Sequence, residues 1–432
     1  MADLLALSAR YVDEGVWEGP GSVNRVTGEL SEIADGIALV EAFSHVVAFS
    51  TDAGLVLFDT SLEVFGPGIV RALRGWSDAP LHTIVYTHGH VDHVGGAAAL
   101  LEEARTRGTP PPRVVGHEAV AARFDRYART AGWNARVNAR QFGRSDLPLD
   151  RFGPRRWVHP DTIVRERLAL EVGGLAIELR HARGETDDHL WAWLPQRRAI
   201  CAGDFVTWVF PNAGNPQKVQ RHPLEWAAAL RTMAALQPEL LLPAHGLPIA
   251  GRARIARVLG DLAAALESLV EQTLHWMNQG ARLDEVLRAV RLPPEWLERP
   301  WMRPIYDEPE FVVRNVWRQY GGWWDGNPAK LKPAPEAALA RELAALAGGP
   351  GVLAERARAL ADAEDWRLAC ELVELAALAA PENAAIHAVR AELFQRRRDR
   401  ELSLMAKGIF GAAARESAER AAARPAPSTG AE

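Results

Sequence analysis

The chain reads as a mixed α/β protein that runs into an all-helical region, and three observations carry that reading. Residues from about 33 to 85 alternate short apolar runs with Gly and Asp turns; a strand, a histidine-rich loop and a helix start succeed one another from residue 81; and beyond Gly251 the composition shifts to Ala, Leu, Arg and Glu at helical spacing. The first pattern is that of hairpin-linked strands and the last that of helices with one apolar face. At 432 residues the chain exceeds what one core usually supports. Two domains are therefore expected, 1–252 and 253–414, with a disordered tail over 415–432 that is rich in Ala, Arg and Glu and ends in Pro-Ala-Pro-Ser-Thr-Gly-Ala-Glu.

In chain order, Gly36-Ile37-Ala38-Leu39-Val40, His45-Val46-Val47-Ala48-Phe49 and Gly54-Leu55-Val56-Leu57-Phe58 are strands of one sheet. Val64, Ile69, Val70 and Leu73 give an apolar face to a helix over Glu63 to Trp76, and Leu81 to Tyr86 is β-branched and apolar enough for a buried strand. Helix follows from Ala97 to Arg107 and a strand from Arg113 to His117, whose lone histidine is read as structural. Ile255, Val258, Leu259, Leu262, Leu266, Leu269 and Val270 trace one helix face. Aromatics packed round Gly and Pro from Trp317 to Ala329 specify a turn.

Apolar content of 48% and charge of 24% describe an ordinary globular chain, and a net charge of −5 gives no electrostatic reason to expect nucleic acid or an anionic membrane as partner. Arg396-Arg397-Arg398-Asp399-Arg400 is read as a solvated helix face. Two cysteines, Cys201 and Cys370, lie too far apart for a disulfide framework and fit a cytoplasmic protein. The start lacks the basic, apolar pattern of a secretory signal, and no apolar run is long enough to span a bilayer, so no membrane insertion is expected.

The chemistry concentrates in Thr87-His88-Gly89-His90-Val91-Asp92-His93, on a strand-to-helix loop. Imidazole and carboxylate are ligands that zinc and similar divalent ions accept, and six residues holding four such groups cannot place all four tetrahedrally on one ion. Two neighbouring metals are the natural reading. Further acids and histidines close apolar strands or lie between them: Asp59, Glu185, Asp204 and His245.

This pattern resembles the His-x-His-x-Asp-His signature of the metallo-β-lactamase superfamily, and the resemblance implies an αββα sandwich with metals at one end. It implies one metal at His88, His90 and Glu185, the other at Asp92, His93 and His245, with Asp204 between them. A metal-bridging water held by Asp204 and Asp92 is the implied nucleophile. Asp59 and His189 are implied to orient the ligands from behind, although a turn carboxylate is an equal reading of Asp59. Glu185 stands where many members carry His, a replacement that resembles the alkyl sulfatases, whereas Asp204 departs from their usual Glu. Tyr320-Gly321-Gly322-Trp323-Trp324-Asp325-Gly326-Asn327-Pro328 resembles the motif of the alkyl sulfatase dimerisation domain, and the helices after Pro335 resemble tetratricopeptide hairpins.

The implied protein is a homodimeric hydrolase of a small anionic ester, a sulfate monoester, using two divalent ions, most simply zinc. Asn212, Lys218 and Arg221 on a Pro/Gly/Asn loop, with Arg136 and Arg140, are candidates for holding the anion. Larger alkyl sulfatases continue into a sterol-carrier-like domain that this chain does not reach, which weakens the inference to long-chain detergents. The alternatives are a lactonase, phosphodiesterase or broad-range esterase on the same metals, or a helical-repeat interaction protein with an inactive site.

Overall fold

The computed structural model describes residues 3–143 and 148–423. Two compact units divide it: residues 1–134 with 148–323, and 135–147 with 324–432. Arg144 to Leu147 and the chain beyond Ala423 lie outside the described residues.

The first unit holds two sheets. Seven strands, β1 (Leu30–Ala34), β2 (Ile37–Val40), β3 (Val46–Thr51), β4 (Gly54–Phe58), β5 (Leu81–Val85), β6 (Arg113–His117) and β7 (Thr162–Val164), lie side by side in chain order. Pairing is antiparallel from β1 to β4 and parallel from β4 to β7. The second sheet has β8 (Arg167–Val172), β9 (Leu175–His181), β10 (Leu190–Leu194), β11 (Ala199–Gly203), β12 (Leu240–Pro243) and β13 (Ile249–Ala250), also in chain order, with β11 and β12 parallel.

Alternation along β4 shows how the layers form. Val56 and Phe58 join a core shared with Ile177, Leu179, Leu190 and Ile200 of the second sheet, whereas Leu55 and Leu57 join a core with Ile69, Leu73, Leu100 and Phe124 of the helices. A period-two strand thus buries both faces, one against sheet and one against helix. On the far side of the second sheet, Trp226, Leu230 and Met233 of the helix Pro223–Ala235 pack with the face of Arg252–Asn278 that the sequence marks, from Ile255 to Val270. The αββα layering follows.

Helices expected from residue 253 onward begin at Arg252, and those up to Gly321 belong to the first unit. The turn expected from Trp317 starts later: Trp317 to Tyr320 complete the helix Pro309–Gly321, and Gly322, at φ 86°, ends it. In the second unit, Glu336–Ala347, Pro350–Asp362, Trp366–Ala379, Ala384–Arg400 and Leu404–Ala422 form successive helical hairpins around Ala357, Ala369, Val373 and Leu393. Asp365, Asn383 and Ser403 cap three of them by accepting a backbone N–H. The last helix carries the chain to Ala422, beyond the onset of the tail expected at 415, because Ala412, Ala414 and Ser417 still find cover. No described helix is long and apolar enough to cross a membrane.

Candidate metal centre

Strand direction gathers the site. The loops after β4 and β5 bring Asp59 and residues 87–93, those after β11 and β12 bring Asp204 and His245, and the turn from β9 to β10 brings Glu185. Because β4 and β5 are parallel in one sheet and β11 and β12 in the other, each pair presents its carboxyl ends together, where loops of an α/β structure meet a ligand. Gly203 must be glycine: at φ 55°, a Cβ there would lie 2.6 Å from the His189 ring and 2.8 Å from Thr87.

Three groups of side chains each place one potential ligand atom apiece within 4.8 Å of one another: His88, His93 and Asp204; Asp92, His93 and His245; and His90, Glu185 and Asp204. His88 Nε2 lies 2.8 Å from His90 Nδ1, and His90 Nδ1 is 3.9 Å from Glu185 Oε1. Asp92 Oδ2 is 3.6 Å from His93 Nε2 and 3.4 Å from His245 Nε2. Asp204 reaches both clusters, with Oδ2 3.8 Å from His88 and Oδ1 3.4 Å from His93. All seven expected ligand residues therefore meet. His93 Nε2 and Asp204 Oδ1 are buried and lack a hydrogen-bond partner. A facing imidazole and carboxylate without other donors is the chemistry of a divalent-cation site, so the residues fit that group.

Asp59 lies behind the loop. Its Oδ1 accepts the Thr87 N–H at 2.7 Å, and its Oδ2 meets Thr87 Oγ1 and His93 Nδ1, each at 2.8 Å. Its own φ of 61° is disfavoured outside glycine and is held by these contacts. His189 accepts the Asp204 N–H at Nε2, 3.1 Å away, and stacks on His88 with centroids 4.6 Å apart. His117, expected to be structural, stacks on His181.

Charge is crowded here. Burial and the charge of His93 hold His88 well below the usual imidazole range; burial, Arg221 and Arg123 do the same to His90. Burial also works against a charge on His93 and on His245, yet Asp204, Asp59 and Asp92 outweigh it and raise His93 well above that range, and Asp204 and Asp92 raise His245 above its ordinary value. Burial, with the like charges of Asp204 and Asp92 and against the pull of Arg221, pushes Glu185 up to about 8. Protons thus sit on groups that a divalent cation would displace.

Among the anion candidates, Arg221 is 2% exposed and committed to the loop of Glu185: Nη1 donates to its carbonyl and Nη2 lies 3.2 Å from Oε1. Asn212 donates to the same Oε1 at 2.5 Å. Lys218 is half-buried, and burial together with Arg221 lowers its ammonium to about 8. Arg136 and Arg140, on the helix Ala131–Phe142, fall in the second unit. Three supports escaped the sequence reading. Asn315 holds both backbone groups of Arg221, Asp307 accepts the Gly214 N–H at 2.7 Å, and Arg123 pairs with Asp188 beneath Gly89. Each is a lone polar residue far along the chain from its partner, without motif or periodicity to mark it.

Residues 39–245 match the metallo-beta-lactamase superfamily, and residues 282–420 match the alkyl sulfatase dimerisation family. A linear primary-alkylsulfatase of a Pseudomonas strain is 28% identical over 79% of this chain and 68% of its own length. An (R)-specific secondary-alkylsulfatase of Pseudomonas is 24% identical over 90% of this chain and 62% of its own. The solved structure of a stereoselective inverting sec-alkylsulfatase from Pseudomonas superposes with a TM-score of 0.79 at 21% identity, covering 98% of this chain and 69% of that one. The chain thus spans about two thirds of the length of these relatives.

Proposed function

We propose, since the chain belongs to the metallo-β-lactamase superfamily and carries an alkyl sulfatase dimerisation region, that it is a two-metal hydrolase of sulfate monoesters. The observation that carries this is the convergence of His88, His90, Asp92, His93, Glu185, Asp204 and His245 on one end of the sandwich, with a carboxylate at 185.

His88, His90 and Glu185 would hold one ion and Asp92, His93 and His245 the other, with Asp204 reaching both clusters. Two divalent cations in that setting, zinc best matching mixed imidazole and carboxylate donors, would supply Lewis acidity toward an ester oxygen and toward water. Asp92 and Asp204, which lie between the two clusters, would orient a water there. Asp59 keeps the proton of His93 on Nδ1, so that Nε2 offers its lone pair.

Charge favours a monoanionic substrate. Carboxylates at 92, 185 and 204 cancel three of the four charges that two divalent ions bring, which leaves a weakly cationic site. A sulfate monoester carries one negative charge, whereas a phosphate monoester carries close to two near neutrality. Replacing imidazole by Glu185 lowers the site's charge by one in the direction that suits sulfate. Lys218, the half-buried cation on the 211–221 loop, supplies the contact to the sulfate oxygens, and Asn212 and Arg221 act through Glu185.

The protein works as a homodimer in the cytoplasm, where its free cysteines, Cys201 and Cys370, are compatible with a reducing medium. Metal analysis and a turnover panel test the reading. About two metals per chain are expected, with p-nitrophenyl and alkyl sulfates turned over faster than phosphodiesters or lactones; the opposite ranking, or full activity after exhaustive chelation, rejects it.

A further inference from the structure

Gly89 separates two of the histidines that bear the site, and its backbone N–H donates to Asp188 Oδ2 at 3.0 Å. The same oxygen accepts from Arg123 Nε at 2.8 Å, and the other arm of the guanidinium meets the Asp187 carboxylate. Asp188 is fully buried, and Arg123 is 3% exposed on the helix Ala119–Arg129. A Cβ at Gly89 would lie 2.9 Å from both Arg123 Cδ and Asp188 Oδ2, so the loop rests directly on the pair.

Asp188 belongs to the turn that carries Glu185, and its neighbour His189 accepts the Asp204 N–H and stacks on His88. One buried ion pair therefore joins three elements: the histidine loop after β5, the turn from β9 to β10, and a helix that carries none of the seven expected ligand residues. Asp188 alone would be a costly buried charge, and the Arg123 guanidinium is what allows it to stay ionised there. A buried charge kept by a dedicated partner, with one oxygen committed to a backbone N–H between two histidines, does more than fill space.

We propose that Arg123 and Asp188 are positioning residues, a buried strut that sets the separation between the loop bearing His88 and His90 and the turn bearing Glu185, and so the affinity for the ion those three residues share. The inference rests on the metal centre proposed above. Neither residue touches the substrate.

Two double substitutions separate positioning from folding. R123M/D188N removes both charges and keeps an amide oxygen to accept the Gly89 N–H; R123M/D188L removes both charges and the acceptor. Zinc affinity is read by competition against a chromophoric chelator on the full-length dialysed protein, with thermal melts in parallel. The amide variant is expected to bind two ions within about threefold of the parent, and the leucine variant to hold one ion about 10–100-fold more weakly while keeping the other. Equal affinities in the two folded variants overturn the proposal. Should R123M/D188L fail to fold, R123K replaces it, because lysine keeps the charge but not the fork; a severalfold weaker ion at an unchanged melting temperature supports the strut, and parental affinity refutes it. A parent protein that binds no zinc sinks the metal centre along with this inference, whereas a parent with two ions and indifferent variants sinks the strut alone.

Discussion

Replacing Asp59 by asparagine tests how the site is prepared for a cation. Asp59 spends one oxygen on the Thr87 N–H and the other on Thr87 Oγ1 and His93 Nδ1. In Asp59→Asn the amide oxygen must stay on the Thr87 N–H, since a buried N–H left without an acceptor costs about 1–3 kcal/mol. The amide NH2 then faces His93 Nδ1. A donor there obliges Nδ1 to accept, which moves the imidazole proton to Nε2, the atom that faces Asp92 and Asp204 at 3.6 and 3.4 Å. This tautomer has no lone pair to offer a metal. Affinity for the ion at His93 should fall about 10–100-fold, roughly 1.4–2.8 kcal/mol at 1.4 kcal/mol per tenfold. The fold should tolerate the change, because burial already holds the Asp59 carboxyl above its usual range and neutralising it there costs little. Zinc titration against a competing chelator, with a thermal melt as control, reads both quantities. A D59N protein that binds two ions at parental affinity and turns over at the parental rate would falsify the tautomer argument.

Proton linkage gives a second expectation. In the metal-free protein His93 and His245 are raised above the unfolded imidazole value near 6.5, and Glu185 is raised to about 8. Each holds its proton more tightly folded than unfolded, so the stability it contributes is present at lower pH and is lost as pH rises through its folded value. His88 and His90 are lowered and act only below the unfolded value, and Lys218, lowered to about 8, acts with the opposite sign only above that value, so between about pH 6.5 and 8 the signs agree. Metal-free protein should melt progressively lower from pH 6.5 to 8, and calorimetry in buffers of different ionisation enthalpy should show protons released on zinc binding at pH 7; proton uptake there contradicts the assignment. For Arg221→Lys, zinc occupancy and kcat should fall together while KM for a sulfate ester stays within about threefold, because a single ammonium cannot serve both the carbonyl and carboxylate of Glu185. A tenfold rise in KM at full metal occupancy would instead place the guanidinium on the substrate. Lys218→Met should do the reverse, raising KM by about tenfold, the scale of one charge-assisted hydrogen bond, with metal content unchanged. Asp307→Asn should lower stability by about 1–3 kcal/mol in denaturant melts, since an amide has one oxygen for the two N–H groups, of Gly214 and Glu308, that the carboxylate now accepts.

What the sequence made legible follows from how the site is built. Glu185 lies between two strands and the other candidate site residues close strands, and a buried strand announces itself by apolar residues that an acid or histidine abruptly interrupts: Leu57-Phe58-Asp59, Val85 before the histidine loop, Ala202-Gly203-Asp204 and Pro243-Ala244-His245. The helical face from Ile255 to Val270 was legible for the same reason, being a repeat of apolar positions. Periodicity reports that a face is buried, not what buries it. Helices up to residue 321 pack into the first unit, although their composition resembles that of the helices after 335.

The anion candidates expose a different limit. Of the cations on the 211–221 loop, arginine has the fork that matches a sulfate edge, and a fork matches the backbone and carboxylate of a turn equally well. Arg221 is completed by the Glu185 carbonyl and carboxylate, and its own backbone is held at both N–H and C=O by Asn315, 94 residues further on. A guanidinium with both Nη groups engaged by Glu185 orients that turn, and on the proposed reading the contact to the sulfate falls to its half-buried neighbour Lys218. Residue type limits what a side chain can grip; which partner it does grip depends on long-range pairings such as Arg221 with Asn315 and Arg123 with Asp188. The Arg221→Lys and Lys218→Met pair is therefore the sharper test: opposite effects on KM and metal content support this division, and identical effects in both variants refute it.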